Sequence, residues 1–226
     1  MNKVAVILSG CGYLDGSEIR ESVLTLLALD NEGIEYNIFA PDMLQHHVVN
    51  HVEKIADETL SRNVLEEAGR IARGKISPIT ELDSDKFDGL VIPGGFGVAK
   101  NLSKFAFQGS ASGVDPTIKS VLKDFKESNK PIGAICISPA LLALTFGELK
   151  PILTIGNHAD TVAEIEKTGA IHKVCETNDC VVDMNNLFVT TPAYMDDTAN
   201  LKDISQGISK LVKAMISLVK NKTFSQ

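Results

Sequence analysis

Pro131-Ile132-Gly133-Ala134-Ile135-Cys136-Ile137-Ser138-Pro139-Ala140 joins an apolar run to a helical pattern that continues to Leu144. The run reads as a strand buried on both faces, and the change of period at Cys136 predicts a strand-to-helix turn. A nucleophile on such a turn stands above the sheet with its side chain exposed. The turn leaves little room, and Ala134 and Ser138, two before and two after, are both small. The following helix directs its free amides and the positive end of its dipole at the sulfur, which favours thiolate over thiol. Cys136 is therefore expected to be a reactive sulfur. The plain alternative is a buried core cysteine.

Working outward, the same grammar recurs. Lys3–Ser9 is a continuous apolar strand, and Ser17–Leu29 has helical spacing, with Ile19, Val23, Leu26 and Leu27 on one face. Gly33 ends that helix, and Glu35–Ala40 reads as a second strand. Pro41–Arg73 reads as mostly helical and polar, with a stripe at Val64, Leu65, Ala68 and Ile71. Phe87–Pro93 is a buried strand that runs into Pro93-Gly94-Gly95-Phe96-Gly97. Lys100–Asp115, rich in small residues, suits a loop over a site. Helices follow at Pro116–Ser128, Ala159–Thr168 and about Leu201–Val219, with strands at Ile152–Ile155, Val181–Asp183 and Leu187–Thr191. Alternating strands and helices predict an α/β fold with a largely parallel sheet and helices on both faces. Ligands in such sheets bind beyond the carboxyl ends of the strands. Ser9–Ser17, Pro93–Gly97 and Cys136–Ser138 all fall on that edge. With no internal repeat or linker, one domain over 1–226 is the simplest reading.

Glu18 lies in Asp15-Gly16-Ser17-Glu18-Ile19-Arg20, directly after the first strand. It could reach the Cys136 sulfur, with its pKa raised by partial burial, and donate a hydrogen bond or move protons. Asp15-x-x-Glu18 is equally a capping box, which needs no other purpose. Gly94 and Gly95 expose backbone N–H groups that, with the Ile137 amide, could form an oxyanion hole; the alternative is a tight turn that only glycine makes. Gly10-x-Gly12-x-x-x-Gly16, with an acid at Glu32 or Glu35, invites a dinucleotide reading, but Cys11, Tyr13 and Leu14 crowd the loop where a pyrophosphate needs bare backbone. His47 and His51, four apart, could face one metal, but no third ligand stands out, so no metal is expected. His158 could act as an accessory base or be a surface residue. Cys175 and Cys180 have no partners at zinc spacing.

Composition narrows the function. The net charge of −7 and the lack of a basic cluster argue against a nucleic-acid surface. No apolar run approaches a membrane span. Met1–Leu8 reads as a strand rather than a signal peptide. Four cysteines without a secretory signal suggest thiols in a reduced, cytoplasmic setting.

Ile7-Leu8-Ser9-Gly10-Cys11-Gly12, Asp15-Gly16-Ser17-Glu18-Ile19, Arg62-Asn63-Val64-Leu65, Val91-Ile92-Pro93-Gly94-Gly95-Phe96-Gly97-x-Ala99-Lys100-Asn101-Leu102, Cys136-Ile137-x-Pro139-Ala140, Leu153-Thr154-Ile155-Gly156 and Val189-Thr190-Thr191-Pro192-Ala193-Tyr194-Met195 together resemble the ElbB-type proteins. These are also called enhancing-lycopene-biosynthesis or isoprenoid-biosynthesis proteins. They are a branch of the ThiJ/PfpI superfamily, whose domain resembles class I glutamine amidotransferases. The resemblance implies a flavodoxin-like three-layer sandwich, usually a homodimer, with Cys136 as nucleophile and Glu18 as its partner carboxyl. It also implies cofactor-free glyoxalase activity on a small aldehyde, methylglyoxal or glyoxal, giving a 2-hydroxy acid. Two departures stand out. Gly156 falls where many relatives carry a histidine, with His158 two residues on. Pro192-Ala193-Tyr194-Met195 lacks the His-x-Glu pair that glutamine hydrolysis needs. The alternative function is a redox-sensing or metabolic regulatory protein that uses the same sulfur, in which Cys11, on the same sheet edge, resolves an oxidised Cys136 as a disulfide.

Overall fold

The computed structural model describes residues 1–223, with side chains through Lys220. The chain opens with β1 (Lys3–Ile7), α1 (Ile19–Asn31) and β2 (Glu35–Ala40). A small hairpin of β3 (Val49–Asn50) and β4 (Ile55–Ala56) precedes α2 (Val64–Ile71) and β5 (Ile76–Pro78). Next come β6 (Gly89–Ile92), the short helices α3 (Phe96–Lys100) and α4 (Phe105–Gln108), and α5 (Pro116–Glu127). The elbow segment is β7 (Ile132–Ile135) followed by α6 (Pro139–Phe146). The rest is β8 (Ile152–Leu153), α7 (Ala159–Lys167), β9 (Ile171–His172), β10 (Val181–Asp183), β11 (Phe188–Thr191) and α8 (Leu201–Thr223).

Seven strands form the central sheet in the order β10-β11-β7-β6-β1-β2-β5. All neighbours are parallel except β10 and β11. This is the expected flavodoxin-like arrangement, with an antiparallel strand at one edge. Val4–Ile7, Leu90–Ile92 and Ile132–Ile135 are almost wholly buried, as expected of parallel strands covered on both faces. The chain steps outward from β1 to β2 and β5, then returns to β6 on the other side of β1. That reversal makes a topological switch point between β1 and β6, beside which a crevice opens at the carboxyl ends.

α1 packs on α8, and α8 lies over β7 and β11. Gly133 lets α8 approach, since a Cβ there would stand 2.7 Å from Met215 Sδ and 2.8 Å from Leu211 Cδ2. Ile204, Ile208, Leu211, Val212 and Met215 are fully buried on α8's inner stripe.

α1 corrects the sequence reading. Of the residues expected to share one apolar face, Ile19, Val23 and Leu27 are 45%, 50% and 48% exposed, and Leu26 is half-buried against the core. The buried face is Glu21, Ser22, Thr25, Ala28 and Leu29. The hydroxyls tolerate burial because Ser22 Oγ donates to the Glu18 carbonyl and Thr25 Oγ1 to the Glu21 carbonyl.

Pro41–Arg73 is not mostly helical. It holds the β3–β4 hairpin and loops, with a helix only at α2, where Val64 and Ala68 of the expected stripe are buried. His47 and His51 therefore share no helical face. The strand expected at Ile152–Ile155 is shorter, and β8 pairs with β9 outside the main sheet. Lys100–Asp115 carries α4 and a 3-10 turn, and Glu164 Oε2 fixes it by accepting from the Ser110 amide and hydroxyl.

Candidate active site around Cys136

Cys136 has φ +63, a left-handed conformation rare for a residue with a side chain. The turn is held open from three sides. The Cys136 N–H donates to the Thr191 carbonyl at 3.0 Å, the Ser138 N–H donates to the Ile135 carbonyl, and Ser138 Oγ donates to the Pro93 carbonyl at 2.8 Å. Neighbouring strands thus pin the strained residue, the usual condition under which such strain persists. Cys136 is 7% exposed, so only small reagents reach the sulfur from solvent.

The carboxyl against that sulfur belongs to Glu21, not Glu18. Glu21 is fully buried in the first turn of α1, where its carboxyl and the Cys136 thiol act on each other's proton affinity. Its Oε2 accepts from the Gly94 N–H at 2.9 Å and its Oε1 from the Tyr194 N–H at 3.1 Å. Glu18 instead caps α1, accepting from the Glu21 N–H at 2.6 Å. Its pKa is raised mainly by burial, as expected, but its role in the fold is the helix cap. One helical turn separates the two carboxyls, and only the tilt of α1 decides which of them reaches the sulfur.

Burial, and then the charge on Glu18, raise Glu21 to about 8. Burial and the Glu21 charge push the Cys136 thiol well above its ordinary range, against the pull of the Gly95 and Ile137 amides. This corrects the expectation that the elbow alone favours thiolate. The amides are there, but desolvation and a neighbouring acid outweigh them. The two groups titrate as a unit. Below about 8 Glu21 holds its proton, and the Cys136 thiol, pushed higher still, holds its own.

Gly94 is what allows the pair to form. A Cβ there would stand 2.4 Å from Cys136 Cβ, 2.5 Å from Glu21 Oε2 and 2.9 Å from Cys136 Sγ. Its N–H is already committed to Glu21, so Gly94 is not an oxyanion donor. Gly95 and Ile137 both direct their N–H groups at the sulfur. Gly95 has φ +104, and a Cβ there would meet Glu18 N and Gly16 O at 2.4 Å, so this turn requires glycine. Beyond Glu21, Arg20 Nη1 donates to Tyr194 Oη at 2.9 Å and stacks near its ring.

The remaining expected residues lie elsewhere. Cys11 sits by Glu67, Arg70, Asp15 and Arg62, and burial raises its thiol pKa. β6 separates β1, which leads into the Cys11 loop, from β7, which leads into Cys136, so the two strands are not neighbours. His158 is exposed at the start of α7, its Nδ1 3.3 Å from Thr161 Oγ1. Gly156 sits where a side chain would be strained in this chain. Its φ is +74, and a Cβ would stand 2.6 Å from Met195 Cβ. His172, not singled out from sequence, places Nε2 2.8 Å from the Gly156 carbonyl. The Gly10–Gly16 loop closes on itself, with the Gly12 N–H on the Ser17 carbonyl and the Gly16 N–H on the Gly12 carbonyl, which leaves no pyrophosphate cradle. His51 Nε2 accepts from the Leu14 N–H at 3.3 Å rather than joining His47. Among the described residues no helix is long and apolar enough to cross a membrane.

The chain is 42% identical over 225 residues to the human "Glutamine amidotransferase-like class 1 domain-containing protein 3, mitochondrial", covering 96% of this chain and 83% of that protein. It is 31% identical over 232 residues to the zebrafish "ES1 protein, mitochondrial", covering 95% and 85%. The names of these relatives overturn the cytoplasmic expectation: they point to the mitochondrion, a compartment that free thiols in the sequence do not distinguish from the cytoplasm. A crystal structure of an "isoprenoid biosynthesis protein with amidotransferase-like domain" from Ehrlichia chaffeensis superposes with a TM-score of 0.90 at 39% identity, covering 97% of this chain and all of the other. Drosophila melanogaster DJ-1beta superposes at 0.55 with 15% identity over 98% and 97% of the two chains, a likeness of fold alone. The DJ-1/PfpI family profile matches residues 3–202, and the chain belongs to that family.

Proposed function

We propose that the chain is a cofactor-independent glyoxalase-like enzyme of the ElbB-type branch. It converts small 2-oxoaldehydes to 2-hydroxy acids, with Cys136 as nucleophile and Glu21 as the proton carrier. The observation that carries this reading is the buried Cys136–Glu21 pair, capped by amides on both members.

In the singly ionised pair the sulfur attacks the aldehyde carbon of methylglyoxal, forming a C–S bond. The new oxyanion takes up the Gly95 and Ile137 N–H groups that otherwise serve the sulfur. Glu21, which keeps the pair's remaining proton during the attack, passes it to that oxygen; as carboxylate it then removes the proton from the same carbon and returns it to the adjacent carbonyl carbon, while the hydroxyl proton moves to the second oxygen, giving a lactoyl thioester. Water then cleaves the thioester to lactate and free thiol, so methylglyoxal plus water becomes lactate. Glu21 suits both halves of the transfer because a carboxyl with a pKa of about 8 exchanges protons near neutrality. The narrow opening at Cys136 suits a three-carbon substrate.

The homodimer is part of this proposal. The apolar positions of α8 lie within the fold, so we assign the partner copy to the exposed Ile19, Val23 and Leu27 stripe of α1, which borders the site. A mitochondrial setting follows the relatives' names. The test is lactate formation from methylglyoxal by metal-free wild type, Cys136→Ala, Glu21→Gln and Glu18→Gln. Turnover should vanish in the first two variants and survive in the third. No turnover in the wild type, or turnover that survives Cys136→Ala, would sink the mechanism. Selective oxidation of Cys136 by peroxide would then favour the redox-sensing alternative.

A further inference from the structure

We propose that Cys175 and Cys180 form a reversible intramolecular disulfide, a second redox site separate from the Cys136 elbow. Glu176-Thr177-Asn178-Asp179 is a turn closed by the Asp179 N–H on the Glu176 carbonyl at 3.0 Å, and the two cysteines immediately flank it. Residues flanking a two-residue turn face each other across the chain. The closed turn reverses the chain and brings its two flanking residues together, close enough for the charge of Cys175 to act on the Cys180 thiol; a disulfide needs their Cα atoms within ~4.4–6.8 Å. Both thiols are free in this structure.

The turn is anchored at several points, which keeps its ends in place. Thr191 Oγ1 donates to the Asp179 carbonyl at 2.7 Å, and Lys210 Nζ lies 3.2 Å from Asp179 Oδ1. Thr177 Oγ1 donates to Asp196 Oδ2 at 3.1 Å. α8 presses against it at Gly207, where a Cβ would stand 2.3 Å from the Thr177 carbonyl oxygen. Cys175 lines an open cleft of about 370 Å³ with His158, Glu176 and Met195, while Cys180 packs partly against the core. An oxidant therefore reaches Cys175 first, and Cys180 is the resolving partner. Each thiol has a pKa raised to about 11, by burial first and then by Asp179, and Cys175 also raises that of Cys180. High-pKa thiols are slow to react but poor leaving groups, so the disulfide persists once made.

The oxidant class is a hydroperoxide. The Cys175 thiolate attacks one peroxide oxygen, the O–O bond breaks, and the departing hydroxide takes a proton to become water. The resulting sulfenic acid is attacked at sulfur by the Cys180 thiolate. An S–S bond forms and a second water leaves. Two thiols and one hydrogen peroxide become one disulfide and two waters. The segment that lines the cleft at Pro192 and Met195 also holds Glu21 through the Tyr194 amide between them.

The test exploits the sequence. Tryptic cleavage leaves both cysteines, and no other, in the peptide from Val174 to Lys202. The full chain is exposed to graded hydrogen peroxide, alkylated and digested without reduction. The expected result is a Val174–Lys202 peptide lighter by two hydrogens, refractory to alkylation and restored by dithiothreitol. Cleavage before Asp179 should leave its two parts joined until reduction. Cys136→Ala should form the same linkage, and Cys175→Ser should abolish it. The proposal is overturned if both thiols alkylate at doses that fully oxidise Cys136, or if either pairs with Cys11, Cys136 or another chain.

Discussion

Glu21→Gln should flatten the fall of folding stability with pH and make the wild-type and variant curves cross. The folded carboxyl holds its proton up to about 8, against 4.5 for an unperturbed glutamate. A raised pKa means the folded state binds the proton more tightly than the unfolded chain does. The associated stability is therefore fully present below pH 4.5 and is lost as pH rises through about 8. At ~1.4 kcal/mol per pH unit the loss reaches roughly 3 kcal/mol by pH 7 and at most roughly 5 kcal/mol above pH 8. Glutamine has no such titration, so that slope should disappear. Glutamine also has one acceptor oxygen, where Gly94 and Tyr194 present two N–H groups. One amide is left facing an NH₂ group, which costs ~1–3 kcal/mol at every pH. The variant should thus be the less stable protein in acid and should match or exceed the wild type near pH 8. Urea unfolding across pH 5 to 8 at constant ionic strength, extrapolated to water, measures both curves. Parallel curves would mean that Glu21 is not the buried acid of this site.

Further outcomes follow from the same geometry. Glu18→Ala should cost ~1 kcal/mol through loss of the α1 cap, read from the urea midpoint, with methylglyoxal turnover kept within a few-fold. Gly94→Ala should abolish turnover, because its Cβ falls between Cys136 Cβ and Glu21 Oε2; the same variant should lose the pH-dependent stability assigned to the pair, which urea titration reports. In the wild type, kcat/KM should rise with pH through about 8, where the pair loses its first proton, and a rate independent of pH across that range would contradict the shared-proton mechanism. Val23→Asp should change folded-monomer stability by less than ~0.5 kcal/mol, since the side chain is half exposed, yet shift sedimentation toward monomer if the α1 stripe is the dimer face.

Much of this fold is legible in local chemistry. The parallel strands announce themselves as unbroken apolar runs because both of their faces are covered. The elbow is visible because the period changes at Cys136 between two small residues. Pro41–Arg73 hides its hairpin, since strands of two residues have no periodicity to detect. Cys11 and Cys136 follow strands that end on the same edge, but the order of those strands is not legible in the sequence, and β6 lies between them.

By itself the sequence determined the strand-to-helix turn at Cys136, the sheet edge on which it stands and the glycines beside it, because each is a local matter of period, side-chain size and backbone freedom. Only the tertiary structure decided which acid lies beside the sulfur. The apolar stripe of α1 argues for an inward Ile19, Val23 and Leu27, but α8 occupies the inner side with its own apolar stripe, and α1 turns its small and polar face toward the site. That rotation buries Glu21, leaves Glu18 as a cap and sets the proton affinity of the pair, since burial, the largest influence on both groups, exists only once the helices have packed.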